Sequence, residues 1–308
     1  MAVVAVTGAK GLVGTALRKQ LEQSGHKVIR ITRSTRLPED PALIAWNVQT
    51  GELQGKALQD VEAIIHLAGE NIAAGRWNDE LMAKIRDSRV PATQKLAEFV
   101  AENAPNVKTF LCASAIGYYG DREDELLTEA SAPGLTSSPG FDKGFMSAVC
   151  QAWEAALTPL SEKNVRVAKM RFGIVLSKRG GALAKMLPPF LLGMGGPLAS
   201  GKQYMSWIGL EDLARAIVHV LHTDSLHGQI NMVSPNPVRN SEFTKALGKA
   251  LFRPTFAPVP AMGMRILFGK MADEVLMASA RVLPLRLQET GFEFTTPQIG
   301  PALKQALK

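Results

Sequence analysis

The chain has 308 residues, of which 46% are apolar and 20% charged, with a formal net charge of +7. These values are typical of a globular protein with one large domain or two interlocked ones, and they exclude a disordered or fibrous chain. No apolar run reaches the ~18–20 residues needed to span a bilayer. The two cysteines form neither a disulfide framework nor a metal cluster.

The positive charge has two interpretations. It attracts anionic ligands such as dinucleotide phosphates or nucleic acid, or it reflects ordinary surface Lys and Arg. The cations are spread along the chain, without a dense stripe interleaved with aromatic residues, so we expect no nucleic-acid partner. The chain begins with an apolar strand pattern rather than a signal peptide, which predicts a cytoplasmic protein. Since it also lacks a run long enough to span a bilayer, we expect no membrane partner. An oligomer is compatible with the sequence.

Apolar, β-branched runs alternate with helical patterns through the first two thirds of the chain. This alternation predicts an α/β fold, a doubly wound parallel sheet of the Rossmann type that binds ligands at the carboxyl ends of its strands. The predicted strands are Val3–Val6, Val28–Thr32, Ala63–Leu67, Thr109–Ala113, Val165–Arg171 and Gln229–Val233, with a short extra strand at Ile44–Trp46. The predicted helices are Gly11–Gln23, Asp79–Asn103, Gly144–Lys163 and Leu210–His222.

The last third departs from this alternation. Gly180–Gln203 is rich in Gly, Pro, Leu and Met, which predicts an irregular loop or cap that forms part of a substrate wall. We therefore expect a dinucleotide-binding domain of residues 1–178 with 208–234, and a smaller α+β lobe of residues 179–207 with 235–308. Within the lobe, the predicted elements are helices at Ser241–Leu251 and Met262–Ala280, a strand at Phe292–Phe294 and a terminal helix.

A glycine-rich turn separates the first strand from the first helix. Its sequence is Thr7-Gly8-Ala9-Lys10-Gly11-Leu12-Val13-Gly14. Glycines at this spacing permit a tight turn, a close backbone approach to a pyrophosphate, and close packing of helix on strand. The helix N-terminus then offers free N–H donors to the phosphates. The pattern predicts a dinucleotide site, although three glycines in a turn can also be only a turn.

The end of the second strand discriminates between NAD and NADP. An NAD site generally has Asp or Glu there, whereas this strand closes as Ile31-Thr32-Arg33-Ser34, with Arg36 just beyond. A planar, permanently charged guanidinium at Arg33 suits the adenine and the 2′-phosphate of NADP, and Lys10 adds a second cation. The alternative is that both side chains are solvated loop residues. The sequence favours NADP(H).

Several motifs together resemble a known family. TGAKGLVG, His66-Leu67-Ala68-Gly69 and Ser114-Ala115-Ile116-Gly117-Tyr118-Tyr119-Gly120 are similar to the extended short-chain dehydrogenase/reductase superfamily. Leu67-Ala68-Gly69-Glu70-Asn71-Ile72, Met205-Ser206-Trp207-Ile208 and the ending Arg281-Val282-Leu283-Pro284 resemble its atypical "epimerase family" branch, which includes the bacterial YfcH-type proteins with a C-terminal DUF1731-like region. The resemblance covers essentially the whole chain.

The resemblance implies a Rossmann fold with NADP(H) across the strand ends. The pyrophosphate is expected at the glycine turn, the adenosine at the end of the second strand, and the nicotinamide beside Phe172-Gly173-Ile174-Val175. The implied cofactor-binding residues are Thr7, Gly8, Lys10, Gly11, Leu12, Val13, Thr32, Arg33, Leu67, Ala68, Gly69, Arg89, Gly173 and Val175. For Arg89, the alternative is a cation on a helix surface.

The usual catalytic pair of this superfamily is absent. Its members use a Tyr-x-x-x-Lys pair, in which Tyr transfers the proton and Lys lowers the pKa of that Tyr. None of the three tyrosines here is followed four residues later by Lys, and alignment of the helix places Met146 and Cys150 at those positions. The usual acid–base chemistry therefore needs replacement groups.

Three residues are predicted as replacements. Ser114 matches the superfamily serine, Tyr119 lies in the following Tyr-Gly element, and Glu70 comes just past another strand end. Lys143 is a weaker candidate. Each also has a structural interpretation: a capped turn for Ser114, an anchored loop for Tyr119, and bonds to backbone amides for Glu70. No His or Cys has metal-ligand spacing with carboxylates, so we expect no metal.

Two functions are compatible with these observations. The first is an NADP(H)-dependent oxidoreductase or epimerase-like enzyme that acts on a small hydroxy or carbonyl compound, with nucleotide sugars among the candidates. The second is a non-catalytic NADP(H)-binding protein that senses redox state or acts as a scaffold for a partner. Cell division is one example, a role that is loosely attached to some relatives. The sequence favours the enzyme, because the Ser114 and Glu70 elements have no use in a sensor.

Overall fold

The computed structural model describes residues 1–34, 36, 38–135 and 144–308. The strands are β1 (Val3–Thr7), β2 (Lys27–Arg33), β3 (Leu43–Trp46), β4 (Leu53–Gln54), β5 (Ala63–His66), β6 (Thr109–Ala115), β7 (Leu126–Leu127), β8 (Arg166–Phe172), β9 (Ile174–Leu176), β10 (Tyr204–Met205), β11 (Trp207–Gly209), β12 (Gly228–Met232), β13 (Val238–Arg239) and β14 (Arg281–Val282). The α-helices are α1 (Leu12–Gln23), α2 (Asp79–Asp87), α3 (Val90–Asn103), α4 (Phe145–Ala155), α5 (Thr158–Glu162), α6 (Gly181–Leu191), α7 (Leu210–His222), α8 (Asn240–Leu251), α9 (Ala261–Phe268), α10 (Leu285–Glu289) and α11 (Ile299–Ala306).

One large sheet organises the fold. Within the described ranges it has eight strands in the order β12-β8-β6-β5-β1-β2-β3-β4, all parallel except for the short β4 at the edge. The chain first winds outward from β1 through β2 and β3, and then returns to the other side of β1 through β5. Doubly wound sheets bind ligands at such a reversal, outside the carboxyl ends of the strands. The predicted α/β Rossmann fold is confirmed.

Helices cover both faces of this sheet. Leu17 and Leu21 of α1 and Ile217 of α7 belong to the apolar core on one face. Leu96 of α3 and Leu160 of α5 belong to the core on the other face. Because both faces are covered, β1, β5 and β6 are apolar along most of their length. β2 (KVIRITR) and β8 (RVAKMRF) instead carry charged residues between apolar ones.

Two predicted helices are each divided in two. The helix predicted for Asp79–Asn103 is interrupted between Asp87 and Val90, and the helix predicted for Gly144–Lys163 is interrupted between Ala155 and Thr158. A proline stands in the first turn of the second helix in each case, Pro91 in α3 and Pro159 in α5. Proline has no N–H to continue the preceding helix, but it fits a helix start well.

Three predictions for the last third are wrong in part. Gly180–Gln203 is not wholly irregular, because α6 forms within it and buries Leu183 and Phe190. The helix predicted for Met262–Ala280 ends at Phe268, where Gly269 takes a left-handed conformation with φ of 63°, and a π-helical turn follows at Ala272–Leu276. Phe292–Phe294 forms no strand: both rings pack together in the core under α1 and α7.

A third apolar cluster is formed mainly by residues from the last third of the chain. It joins Leu183 of α6, Phe243 of α8 and Leu303 of α11 with Trp207. The boundaries of the two predicted domains stay a prediction. No helix in the described part of the chain is both long and apolar enough to cross a bilayer.

Candidate functional site

The turn between β1 and α1 packs closely against the backbone of neighbouring segments. Gly8 has a φ of 65°, and a Cβ on it would lie 3.0 Å from the carbonyl carbon and oxygen of Leu67. A Cβ on Gly14 would lie only 2.3 Å from the Gly8 carbonyl oxygen. α1 begins after Gly11 with no capping side chain, so the first N–H groups of the helix, on Leu12 and Val13, are left for a ligand. This geometry fits a pyrophosphate at the strand edge.

Thr7 joins this turn to the one after β5. Its side chain is buried, and its Oγ1 accepts hydrogen bonds from Leu67 N at 3.0 Å and Ala68 N at 3.1 Å. With both lone pairs occupied, the hydroxyl proton is donated to His66 Nδ1, 2.9 Å away. His66 Nε2 then donates to Thr93 Oγ1 at 3.1 Å. Thr7 was predicted to bind the cofactor, but its side chain faces the neighbouring turn and positions it.

His66 is neutral in this network. Burial, together with the nearby Arg89 charge, lowers its pKa to about 4. The assigned tautomer carries its proton on Nε2, because Nδ1 accepts from Thr7. In the motif His66-Leu67-Ala68-Gly69, the buried His66 side chain therefore holds Thr7, which in turn bonds the backbone of the turn at Leu67 and Ala68.

Unpaired cations lie at the adenosine end of the site. Arg33 is the last residue of β2 and is exposed, as are Lys10 in the glycine turn and Arg36 beyond the strand. In the part of the chain that the structure describes, none of the three forms an ion pair. Thr32 precedes Arg33 and is half-buried, and no carboxylate closes β2. These charges fit an additional phosphate on the ribose.

Arg89 lies beneath the turn that follows β5. Its Nη2 donates to the Glu70 carbonyl oxygen at 2.9 Å and its Nη1 to the Ile85 carbonyl oxygen at 3.0 Å. A Cβ on Gly69 would lie 3.2 Å from Arg89 Cζ. Burial lowers the pKa of Arg89, and the charge of Glu70 opposes this shift only in part. The backbone therefore holds a guanidinium directly under Gly69 at the strand edge.

The positions of the missing Tyr and Lys are apolar. Met146 and Cys150, on successive turns of α4, are buried in a cluster with Trp77, Phe145 and Met271. Burial raises the pKa of the Cys150 thiol to about 12, so it stays protonated near neutral pH. The described residues at these positions supply no proton donor or acceptor of suitable pKa.

Ser114 and Tyr119 belong to a buried polar network. Ser114 Oγ donates to Glu154 Oε1 at 2.8 Å, and Arg171 pairs with both oxygens of Glu154 at 2.8 Å. Arg171 Nη1 donates to the Tyr119 hydroxyl at 2.9 Å, and that hydroxyl lies 2.8 Å from Asn231 Oδ1. Burial alone would lower the pKa of Arg171, but the hydrogen bonds and charge of Glu154 hold it above its usual value.

This network uses the groups that were predicted to be catalytic. The Ser114 proton is committed to Glu154, and the side chain of Tyr119 is fully buried. Burial is also the largest influence on the pKa of Tyr119 and raises it, against the lowering effect of Arg171. The Tyr119 ring packs within the core beside Leu127 and Val282. The catalytic roles of both residues stay predictions.

Glu70 differs from these two residues. Its backbone N–H is bonded to Ser88 Oγ at 2.9 Å, but within the described ranges its half-buried carboxylate has no hydrogen-bond partner. The neighbouring Asn71 caps its own loop by accepting from Ala73 N at 2.9 Å. Glu70 is thus held at its backbone while its carboxylate stays available. Lys143 lies outside the described residues.

The expected nicotinamide side is formed by β8 and β9. Gly173 joins them, and a Cβ there would lie 2.7 Å from both the Ser206 carbonyl oxygen and Val233 Cγ1. Val175 lies in β9 and pairs with Ile208 of β11, so the predicted turn is in part a strand. The glycine allows these backbones to meet at the carboxyl end of the sheet.

Two central residues were missed by sequence reasoning. Arg171 was included in a predicted strand and Glu154 in a predicted helix, but neither was assigned a role. The available signal was a charged residue within an otherwise apolar element, since such a charge is almost always paired when buried.

No group of described residues has the composition and spacing of a metal site.

Comparison with known proteins places this geometry in a family. A model of the NAD dependent epimerase/dehydratase family matches residues 4–233. The chain belongs to that family. A second model, for a domain of unknown function (DUF1731), matches residues 259–306. Both agree with the resemblance stated from the motifs, which is thereby confirmed for the family and for the C-terminal region.

Individual relatives span nearly the whole chain. An epimerase family protein of Mycobacterium bovis is 41% identical over 305 residues, covering 99% of this chain and 97% of the relative. The crystal structure of the human epimerase family protein SDR39U1 with NADPH has a TM-score of 0.88 at 33% identity, and covers 99% of both chains. A UDP-N-acetylglucosamine 4-epimerase from Bacillus cereus, at 19% identity and a TM-score of 0.75, covers 99% of this chain and 98% of that one, and it shares the fold.

Proposed function

We propose that this protein binds NADP(H) across the carboxyl ends of β1, β2 and β5. The observation that carries the proposal is the turn at Gly8 and Gly14, where a Cβ would clash with the backbone, together with the unpaired guanidinium of Arg33 at the end of the neighbouring strand β2. The human relative crystallised with NADPH supports it. Leu12 and Val13 would offer backbone N–H groups to the pyrophosphate, and Arg33 with Lys10 would meet the 2′-phosphate.

Arg33→Ala is expected to weaken NADPH binding about tenfold to hundredfold and to leave NADH binding nearly unchanged. Charge-assisted hydrogen bonds of this kind contribute roughly 1.5–3 kcal/mol, and only NADPH carries the phosphate that they reach. Titration calorimetry with both cofactors measures the difference. Lys19→Ala, which removes an exposed cation from α1, should bind both as the wild type does. Equal losses for both cofactors would contradict the assignment.

The proposed reaction is hydride transfer to or from a small hydroxy or carbonyl compound, with nucleotide sugars among the candidate substrates. The nicotinamide supplies or accepts the hydride. Glu70 is the proposed proton-transferring residue, because its carboxylate is the available one of the three predicted replacements. Arg89 adds positive charge under the turn, and the apolar cluster around Met146 and Cys150 excludes water beside it.

A panel of aldehydes, ketones and keto sugars tests this reaction through loss of the reduced-nicotinamide absorbance. Turnover is expected with at least one compound, and Glu70→Gln should lower kcat by about 100-fold while the Kd of NADPH is unchanged. Asn71→Asp, which keeps an acceptor for the loop bond, should keep most of the turnover. Equal turnover by Glu70→Gln and the wild type would remove Glu70 from the mechanism.

The second candidate is a non-catalytic NADP(H)-binding sensor or scaffold. The apolar replacement of Tyr and Lys by Met146 and Cys150 favours it. Tight NADPH binding without oxidation of any compound in the panel would support this function over the enzyme. Location in the cytoplasm and the oligomeric state stay predictions.

A further inference from the structure

The exposed apolar side chains are concentrated on the smaller lobe. Of the twelve large apolar side chains that are exposed among the described residues, eight lie in two segments, 179–202 and 243–272. We call these eight the apolar face. They are Leu191, Leu192, Met194, Phe252, Phe256, Met262, Ile266 and Leu267. Clusters of exposed apolar side chains mark interaction sites, whereas single exposed apolar residues are ordinary.

The two segments run side by side. Leu198 and Val259 form a parallel bridge, in which Val259 N donates to the Pro197 carbonyl oxygen at 2.8 Å. Arg253 Nε donates to the Leu191 carbonyl oxygen at 2.9 Å, which ties the end of α6 to the loop after α8. Leu191, Leu192 and Met194 are therefore neighbours of the loop that carries Phe252 and Phe256, and α9 follows directly.

The same two segments carry the excess positive charge. They contain eight Lys and Arg residues and no Asp or Glu, whereas the rest of the chain has 27 cations and 28 acids. Lys185 of α6 and Lys249 of α8 are exposed beside the apolar face. The cations are therefore more concentrated in these two segments than in the rest of the chain, and two of them lie near carboxylates outside the segments: Arg265 is paired with Asp273 at 2.9 Å, and Lys270 lies 4.0 Å from Asp79.

Two phenylalanines show what kind of surface this is. Phe252 is 88% exposed and Phe256 is 86% exposed, so both rings protrude from the lobe rather than line a groove. Phe252 also adopts a left-handed conformation with φ of 55° at the end of α8, where helices usually place Gly. The fold gains no burial from either ring. Protruding aromatic and aliphatic groups among cations are typical of proteins that insert shallowly into an anionic lipid surface.

We propose that the apolar face docks this protein on the surface of an anionic membrane. Phe252, Phe256 and the exposed side chains of α9 enter the interface, and Lys185 and Lys249 meet the lipid headgroups. A second copy is a poor partner for this face, because it would bring its own Lys185 and Lys249 against those of the first copy. The absence of a membrane partner was predicted from the lack of a spanning segment, which surface docking does not need.

Flotation with lipid vesicles tests the proposal with the full chain. Wild-type protein is expected to float with vesicles of phosphatidylcholine mixed with phosphatidylglycerol, and to stay behind with phosphatidylcholine alone. The variant Phe252→Ser/Phe256→Ser should bind at least about tenfold more weakly, because two inserted rings are lost. Added salt should weaken the binding of the wild type, because it screens the attraction between the lysines and the headgroups. The variant Lys185→Glu/Lys249→Glu should bind more weakly than the wild type, and salt should not weaken its binding further. NADPH affinity, unchanged in both, verifies folding.

Leu135→Ser is the matched control, since this exposed leucine lies outside the apolar face. It should float as the wild type does. The proposal is overturned if the wild type floats with neither vesicle, if it floats equally with both, or if the double Phe variant binds normally. Sedimentation equilibrium tests self-association. If the wild type is a dimer, the double Phe variant is a monomer and the wild type does not float, the face is a dimer interface and the proposal is overturned.

Discussion

Arg171→Met is expected to lower the free energy of unfolding by about 3–5 kcal/mol, because it leaves the Glu154 carboxylate charged and unpaired in the interior. Arg171 is 1% exposed and Glu154 is 5% exposed, so water cannot replace the lost partner. The substitution also removes the cation that lies 3.4 Å from the centre of the Tyr118 ring and the hydrogen bond to Tyr119. Urea unfolding followed by circular dichroism measures the loss.

Two further variants make this result specific. Arg171→Met/Glu154→Leu should be more stable than Arg171→Met alone, because no unpaired charge is left in the core. Arg265→Met removes an exposed arginine that is also paired with a carboxylate, Asp273, and should change stability little. A loss below ~1 kcal/mol for Arg171→Met would show that the buried pair is not what holds β6, β8 and α4 together.

Gly14→Ala is expected to weaken NADPH binding by about 100-fold and to destabilise the fold by roughly 1–3 kcal/mol. The new Cβ would lie 2.3 Å from the Gly8 carbonyl oxygen and 2.8 Å from Ala9 Cα, so either α1 or the turn has to move. Such a shift displaces the N–H groups of Leu12 and Val13 from the phosphates. Fluorescence titration with NADPH and thermal unfolding measure the two effects.

Gly263→Ala provides the comparison. Gly263 also lies within a helix, α9, but a Cβ there would have no heavy atom within 4 Å. That substitution should leave NADPH binding unchanged and stabilise the helix by up to ~1 kcal/mol, since Ala is the better helix former. Equal NADPH affinity in Gly14→Ala and the wild type would contradict the assignment of the turn to the pyrophosphate.

Local patterns were sufficient for the strands and for the cofactor turn. β1, β2, β5, β6 and β8 were predicted to within about two residues at each end. β1, β5 and β6 are nearly continuous apolar runs, as expected of strands buried on both faces, and β2 and β8 were recognised by the apolar residues between their charged ones. The spacing of Gly8, Gly11 and Gly14 is equally local. At each of these positions a Cβ would approach backbone atoms that lie within a few residues in the chain or just after the adjacent strand.

Other elements depended on distant partners. The alternating pattern Phe292–Phe294 resembles a strand, yet no neighbouring strand is available there, and the rings pack into the core instead. Asp212 of α7 accepts hydrogen bonds from the Thr295 and Thr296 N–H groups that follow, which secures the segment without a sheet. Propensity alone cannot reveal such a partner 80 residues away in the chain.

The candidate catalytic residues illustrate the same limit. Ser114, Tyr119 and Glu70 were equivalent in the sequence, since each follows a predicted strand. The structure distinguishes them. Ser114 is hydrogen-bonded to Glu154 and Tyr119 to Arg171, while the Glu70 carboxylate has no hydrogen-bond partner among the described residues. Those partners come from α4 and β8, which converge only when the sheet forms.

The sequence by itself determined the doubly wound sheet, the glycine turn and the lack of a Tyr-x-x-x-Lys pair, because each depends on residue type and short-range spacing. Only the tertiary structure decided which polar groups are free at the strand edge and that the two segments with most of the exposed apolar side chains run side by side. Both properties depend on burial and on pairing between segments distant in the chain, and these are defined only once the chain has packed.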